Sequence, residues 1–341
     1  MNITRRTLAR RTLGLSAAAV LAAPALLKHP ADAAEFNYKF ATNQPLGHPS
    51  NTRAQEAIDR IREQSGGRIA IQLFPNNQLG GDTDMLSQLR AGAIHFFPAS
   101  GLLIETIVPV AGANGVGFAF KDYATVWAAM DGDFGKYLRA QMLPAGFYVF
   151  PKIWDNGFRQ ITSAAAPINS PADLKGFKIR VPVEPIEVAL FEAYGASPTA
   201  INIKEAYSAL QTRLVDGQEN PLSIIYNWKF YEVQKYCSLT NHIWDGFWVV
   251  SNRRIWEKLP KDMQDVVARN IDHAADDQRA DIRKLNESLQ TNLEKAGLTF
   301  NRPDGEQFRT ALQKTGFYTK CREEFGPECW ALLEKYTSKL A

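Results

Sequence analysis

Histidine and cysteine are scarce, with five and three in 341 residues. The histidines (His29, His48, His95, His242 and His273) lie singly, and none has a partner at metal-ligand spacing. The chain has no Gly-x-Ser-x-Gly elbow, no His-Glu-x-x-His helix, no Cys-x-x-Cys pair and no phosphate loop. "GANGVG" (Gly112 to Gly117) has the wrong glycine order for a dinucleotide fingerprint and reads as a loop. An exported enzyme needs a nucleophile, a base or a metal, and none can be assembled from these residues. No cofactor and no metal is expected. Beyond residue 33 no apolar run approaches the roughly 20 residues that span a bilayer, so the chain is not expected to be membrane-embedded.

A basic excess is missing as well. The formal net charge of +3 comes from 39 basic and 36 acidic residues. Five of the basic residues and one of the acidic ones lie within the first 33, which leaves 34 against 35, a net of −1. Nothing in that balance favours nucleic acid or an anionic membrane surface.

The first 33 residues read as an export signal. "TRRTLAR" (Thr4 to Arg10) is a twin-arginine pattern, Leu13 to Leu27 is a short apolar stretch, and "ADA" (Ala31 to Ala33) is a small-residue cleavage site. The expected location is therefore the periplasm, reached by the twin-arginine route. In that oxidising compartment Cys321 and Cys329 could form a disulfide if the chain bends at Gly326–Pro327, whereas Cys237 reads as a small buried hydrophobe.

What remains alternates strand and helix patterns. "FNYKFAT", "RIAIQLF" and "IHFFPAS" read as strands, separated by a helix capped by Ser50 and another opening near Asp82. A helix is expected over Tyr123 to Met142, strands at "FYVFPKI", "GFRQITS", "FKIRVP" and "HIWDGFWVVSN", and a long helix from Pro260 to Lys295. This rhythm predicts an α/β protein with a mostly parallel sheet.

Three stretches place polar groups at strand ends, where open α/β sheets bind ligands: "WDNGFRQITS", "FKIRVP" and "VDGQENPLS". An arginine there can fork two parallel N–H bonds onto a carboxylate. In their order and spacing, together with "LFPNNQLGGDTDMLSQLRAGAIHF" and "GASPTAINIKEAYSALQTRLVDGQENP", they resemble the TRAP-transporter solute-binding proteins of the DctP family, near the sialic-acid binders.

The resemblance implies a two-domain periplasmic clamshell with crossovers and a long helix spanning both domains. Domain I would comprise 34–156 and 246–285, and domain II 157–245 and 286–341. It implies a monomer that binds a small-molecule organic acid and delivers it to small and large TRAP membrane subunits. Arg180 would take the ligand carboxylate, with Arg159 and Asn220 adding contacts. Val183, Ser100 and Ile203 stand where sialate binders carry asparagine, an acidic residue and phenylalanine, which points to a smaller or more apolar acid. Trp154, Trp244 and Phe247 are candidate pocket walls. The competing readings are an exported enzyme acting on a small acid and a receptor for a membrane sensor.

Overall fold

The computed structural model describes residues 34–340, and the expected export signal lies outside the described residues. Eleven strands are present among them: β1 (Phe36–Ala41), β2 (Ile69–Phe74), β3 (Phe96–Ser100), β4 (Phe147–Val149), β5 (Trp154–Ser163), β6 (Lys178–Val181), β7 (Ser197–Ala200), β8 (Gly217–Pro221), β9 (Tyr236–Ser238), β10 (Trp244–Asn252) and β11 (Thr299–Asn301). The main ladder runs β2-β1-β3-β10-β5-β8-β6-β7, with β4 on β10, β9 on β5 and β11 on β9.

The N-terminal part is built as its periodicity dictates. In β1 the neighbours Phe40 and Ala41 point to opposite faces and are both fully buried, as in a strand covered on both sides, and β1 pairs in parallel with β2 and β3. The connecting helix Pro49–Gln64 has proline at its first position, where the missing N–H costs nothing. His48 rather than Ser50 caps it, its ring Nδ1 accepting from the Ser50 backbone N–H at 3.2 Å. Burial without a counter-charge drives the His48 pKa down to about 3, so the ring stays neutral and can accept.

The sheet is less parallel than expected. Strands β6, β7 and β8 pair in parallel, as do β9 and β11, but β10 runs antiparallel to β3, β4 and β5, and β5 antiparallel to β8 and β9. The two long strands β5 and β10 return through the centre and join the two flanks of the sheet. Where they pair, Asp245 faces Gly157 and Gly246 faces Asp155, so Asn156 is an extra residue on β5. This is a β-bulge, and Gly157 takes the φ of +122° that its geometry demands. Gly217 on β8 is constrained differently: a Cβ there would lie 2.1 Å from the Thr162 carbonyl oxygen.

The helix Lys261–Lys295 has 35 residues, about 50 Å at 1.5 Å per residue. It reaches both flanks. Asn270 and Asp281 engage Arg60 and Arg53 of the Pro49–Gln64 helix, while Gln278 donates to the Asp155 carbonyl of β5. The expected helix from Tyr123 to Met142 is two helices, Tyr123–Met130 and Asp133–Met142, broken at Asp131–Gly132.

The buried apolar side chains form three clusters. One lies around Phe40, Phe96, Trp154 and Val267, and one around Ile203, Leu210, Ile225 and Phe230. The largest takes side chains from both flanks, including Leu89, Phe97, Val181, Leu190 and Trp330. Cys321 and Cys329 bracket a kink at Gly326, as a bridge would require, yet both are free thiols packed into this largest cluster. Burial raises each thiol pKa to about 12. Cys237 is fully buried among apolar neighbours. No described helix is long and apolar enough to cross a membrane.

Candidate functional site

Where β3, β5, β6, β8 and β10 converge, their ends and following turns enclose one cavity. Asn43, Gln44, Asp82, Ser100, Asn156, Arg159, Arg180, Glu184, Asn220 and Asp245 form its polar wall, and Phe97, Leu103, Pro182, Ile203, Ile224, Trp228 and Phe247 supply apolar surface. Space for the centre of a water molecule amounts to about 40 Å³, room for a few waters.

Arg180 reaches this cavity because β6 alternates strictly and stops at Pro182, which cannot donate to a ladder. It is 1% exposed. Its Nε and Nη2 donate to a single acceptor, the Ile201 carbonyl, at 2.9 and 2.5 Å. Its Nη1 is buried without any partner. Burial depresses the Arg180 pKa, which Glu219 only partly offsets. A guanidinium does not deprotonate in a protein. The result is a desolvated cation with one donor group waiting for an acceptor.

Arg159, 2% exposed, is the opposite case. Nη1 donates to Asp245 Oδ2 at 3.0 Å, Nη2 donates to Glu219 Oε1 at 2.7 Å, and Nε makes a short bond to Glu219 Oε2. Glu187 Oε1 lies 2.9 Å from Nε but without hydrogen-bond geometry, since that N–H already points at Glu219. Burial opposes the Arg159 charge, but Glu187, Glu219 and Asp245 outweigh it and raise the pKa well above the ordinary arginine value. Burial likewise opposes the Glu219 charge, and Arg159 overcomes it, holding that carboxyl below the usual range. His242 completes the group, with Nε2 3.2 Å from Glu219 and Nδ1 2.7 Å from the Thr240 hydroxyl. Burial lowers its pKa, so the neutral ring donates to Glu219 and accepts from Thr240.

The β5–β10 register beyond the bulge explains how Arg159 meets Asp245. Asp245 pairs with Gly157, and Arg159 lies two residues farther along β5, on the same face. Asp245 Oδ1 also accepts from the Ser100 hydroxyl at 2.8 Å, and Oδ2 from the Asn156 amide at 2.8 Å. A carboxylate therefore stands beside Ser100, supplied by β10 rather than by the third strand.

Of the residues singled out from sequence, Arg180, Arg159, Asn220, Ser100, Ile203 and Phe247 line the cavity together. Asn220 is largely engaged by the protein: its amide donates to Gln218 at 2.6 Å and its oxygen is 3.4 Å from Arg159 Nη2. Three others lie off the wall. Trp154 packs with Phe40 and Phe96 in a flank core. Trp244 donates from Nε1 to Asp155 at 3.0 Å and meets Trp127 edge-on, ring centroids 5.5 Å apart. Val183 is half-buried and not part of the wall, and its neighbour Glu184 lines the cavity instead. The residues that sequence reasoning missed are Asn43, Gln44, Asp82, Asn156, Glu184, Trp228 and Asp245. Asp245 did leave a signal, a carboxylate inside the apolar strand "HIWDGFWVV". The wall is accordingly more acidic than the substitutions at Val183, Ser100 and Ile203 suggested. Burial raises Asp82 to about 6 despite a hydrogen bond from Asn43, and raises Asp245 and, more strongly, Glu184.

Residues 40–319 match the family model described as bacterial extracellular solute-binding protein, family 7 (DctP). The chain belongs to this family. Members of family 7 bind solutes rather than transform them, which removes the enzyme reading. The chain is 34% identical over 275 residues to the sialic acid-binding periplasmic protein SiaP of Vibrio cholerae, covering 81% of this chain and 85% of that one. It is 32% identical over 245 residues to the 2,3-diketo-L-gulonate-binding periplasmic protein YiaO of Escherichia coli, covering 72% and 74%. Among solved structures it is similar to a TRAP periplasmic solute-binding protein of Sulfurospirillum deleyianum with bound succinate, at TM-score 0.82 and 30% identity over 89% of this chain and 98% of the other. It is also similar to the sugar acid-binding protein DctPAm of Advenella mimigardefordensis in complex with galactonate, at TM-score 0.85 and 26% identity over 91% and 100%.

Proposed function

We propose that the chain is the periplasmic receptor of a TRAP transporter, that it clamps the carboxylate of a small organic acid with Arg180, and that it passes the acid as a monomer to small and large membrane subunits. The observation that carries this reading is the buried, unpartnered Nη1 of Arg180 in the wall of the cavity. A buried charge without a partner is costly, and a carboxylate relieves it by a charge-assisted, two-pronged bond. Arg159 acts differently, as the internal counter-ion that holds Glu219 and Asp245 in place. The reading fits a clamshell whose lobes are 34–156 with 246–285 and 157–245 with 286–341, joined through β5 and β10. The acids named for the relatives, among them succinate, galactonate and diketogulonate, all carry the group that Arg180 lacks.

A thermal-shift screen of small organic acids tests the ligand chemistry. A bound acid stabilises the native state by RT ln(1 + [L]/Kd), about 2.7 kcal/mol at a hundredfold excess over Kd. At least one acid should raise Tm, and its amide should not. If acid and amide act alike, Arg180 is not a carboxylate clamp.

Export by the twin-arginine route is part of the proposal. Changing Arg5, Arg6, Arg10 and Arg11 together to Lys should leave precursor in the cytoplasm. Fractionation that finds normal periplasmic yield would refute this route and leave the binding function untouched.

A further inference from the structure

We infer that the solute is a small zwitterion, with its carboxylate on Arg180 and an ammonium group at a subsite formed by Glu184, Gln44 and Asn156. This rests on the carboxylate-receptor reading above and goes beyond it by naming the second charged group.

The cavity wall carries a specific set of unanswered polar atoms. Two are donors, Arg180 Nη1 and Trp228 Nε1. Three are acceptors, Gln44 Oε1, Asn156 Oδ1 and Glu184 Oε2. The orientation of Asn156 is dictated by chemistry, because its amide nitrogen donates to Asp245 and its oxygen is left for the cavity. Glu184 is 5% exposed, a buried carboxyl with an unanswered oxygen. Buried polar groups of this kind take a partner, water when the cavity holds no solute and the solute when it does. Two donors suit the two oxygens of a carboxylate. Three acceptors suit the three N–H bonds of an ammonium group.

Hydroxyl groups could also donate to those acceptors, so charge has to decide. The carboxylates near Glu184 are Asp82, Glu187, Glu219 and Asp245, and the cation facing it is Arg159. Arg159 is already committed to Glu219 and Asp245. Arg180 and Lys204 face Asp82, so no uncommitted cation answers Glu184, and burial beside other carboxylates favours its protonated form until one arrives. A neutral polyhydroxylated tail adds donors but no charge. An ammonium adds both, and it allows Glu184 to bind as the anion.

The test is titration calorimetry with matched triplets: α-, β- and γ-amino acids, the hydroxy acids of the same skeletons, and the unsubstituted acids, alongside galactonate. One amino acid should bind at least about tenfold more tightly than its hydroxy and unsubstituted counterparts, the scale of a charge-assisted hydrogen bond. Glu184→Gln keeps the shape and removes the charge. It should weaken that amino acid by roughly ten- to a hundredfold and hydroxy acids distinctly less, because a hydroxyl can still donate to the new amide oxygen whereas the ammonium loses its counter-charge. Binding of hydroxy acids or galactonate with no amino acid bound overturns the zwitterion and leaves the carboxylate clamp standing. An equal loss for both classes in Glu184→Gln overturns the subsite. If no acid of any class binds, both readings fail together. Should Glu184→Gln not fold, the wild-type preference within each triplet still decides.

Discussion

Arg180→Ala should weaken binding of the acid by roughly two to three and a half orders of magnitude. Removing one member of a desolvated ion pair strands the other, which typically costs about 3–5 kcal/mol, and each 1.4 kcal/mol is about tenfold. Arg180→Lys should recover only part of this, because an ammonium keeps the charge without the planar fork. The structure adds a second expectation. The empty protein holds Arg180 buried, with the Ile201 carbonyl as its hydrogen-bond acceptor and Nη1 unanswered. Arg180→Met removes that incompletely compensated cation while keeping much of its volume. Without ligand, Arg180→Met should therefore match or exceed wild type in denaturant titration. Binding of the acid to Arg180→Ala within a few-fold of wild type would falsify the clamp. An unliganded Arg180→Met that is several kcal/mol less stable would show the guanidinium to be a structural group.

Arg159→Met should produce the opposite pattern. It leaves Glu219, Glu187 and Asp245 facing one another in a buried site, and breaking such a network typically costs about 3–5 kcal/mol of folding stability. The sign of its pH dependence follows. In wild type the Glu219 carboxyl is held below its unfolded pKa by Arg159, so its contribution is present at neutral pH and is lost on acidification. In the variant the carboxyl is pushed above its unfolded pKa. The folded state then binds more protons than the unfolded state, and stability falls as pH rises. Urea titration at pH 5 and pH 8 should show the larger deficit at pH 8. Adding Glu219→Gln to Arg159→Met should restore part of the loss, a coupling that independent sites would not show. A variant within about 1 kcal/mol of wild type at both pH values would mean that the three carboxylates are already neutral and Arg159 is dispensable.

The contrast between the two arginines shows where sequence reading stopped. Arg180 was legible because β6 follows a period of two between Gly176 and Pro182, so its position at the strand end follows from local rules. The environment of Arg159 was not. Its partners Glu187, Glu219 and Asp245 come from a helix and two other strands, and Asp245 stands opposite Gly157, two residues from Arg159, only in the register that β5 and β10 adopt. Period-two reading has no means of fixing the register of two distant strands. Trp154 and Trp244 illustrate the converse error. Aromatic residues beside a binding motif suggest a pocket wall, but each can bury more apolar surface in the core, and both do. Glu184 was hidden because the family pattern puts its contact residue at Val183, whereas the turn after Pro182 brings the next side chain to the cavity. The mostly parallel sheet was over-read for a related reason. Strand–helix alternation describes the flanks, whereas β5 and β10 return through the centre, where no local pattern records their direction.

The pairing of β5 sets how this site can change over evolutionary time. Point substitutions at Glu184, Ser100 or Ile203 alter what the cavity prefers while the backbone beneath them stays as it is. Deleting Phe158, in the regular stretch beyond the bulge, would be a different kind of event. It would slip the register by one and turn Arg159, with every later residue of β5, to the opposite face. The carboxylates of Glu219 and Asp245 would lose their cation in one step. Ligand preference in this fold is thus free to drift by substitution, while the chain length of β5 beyond the bulge is locked.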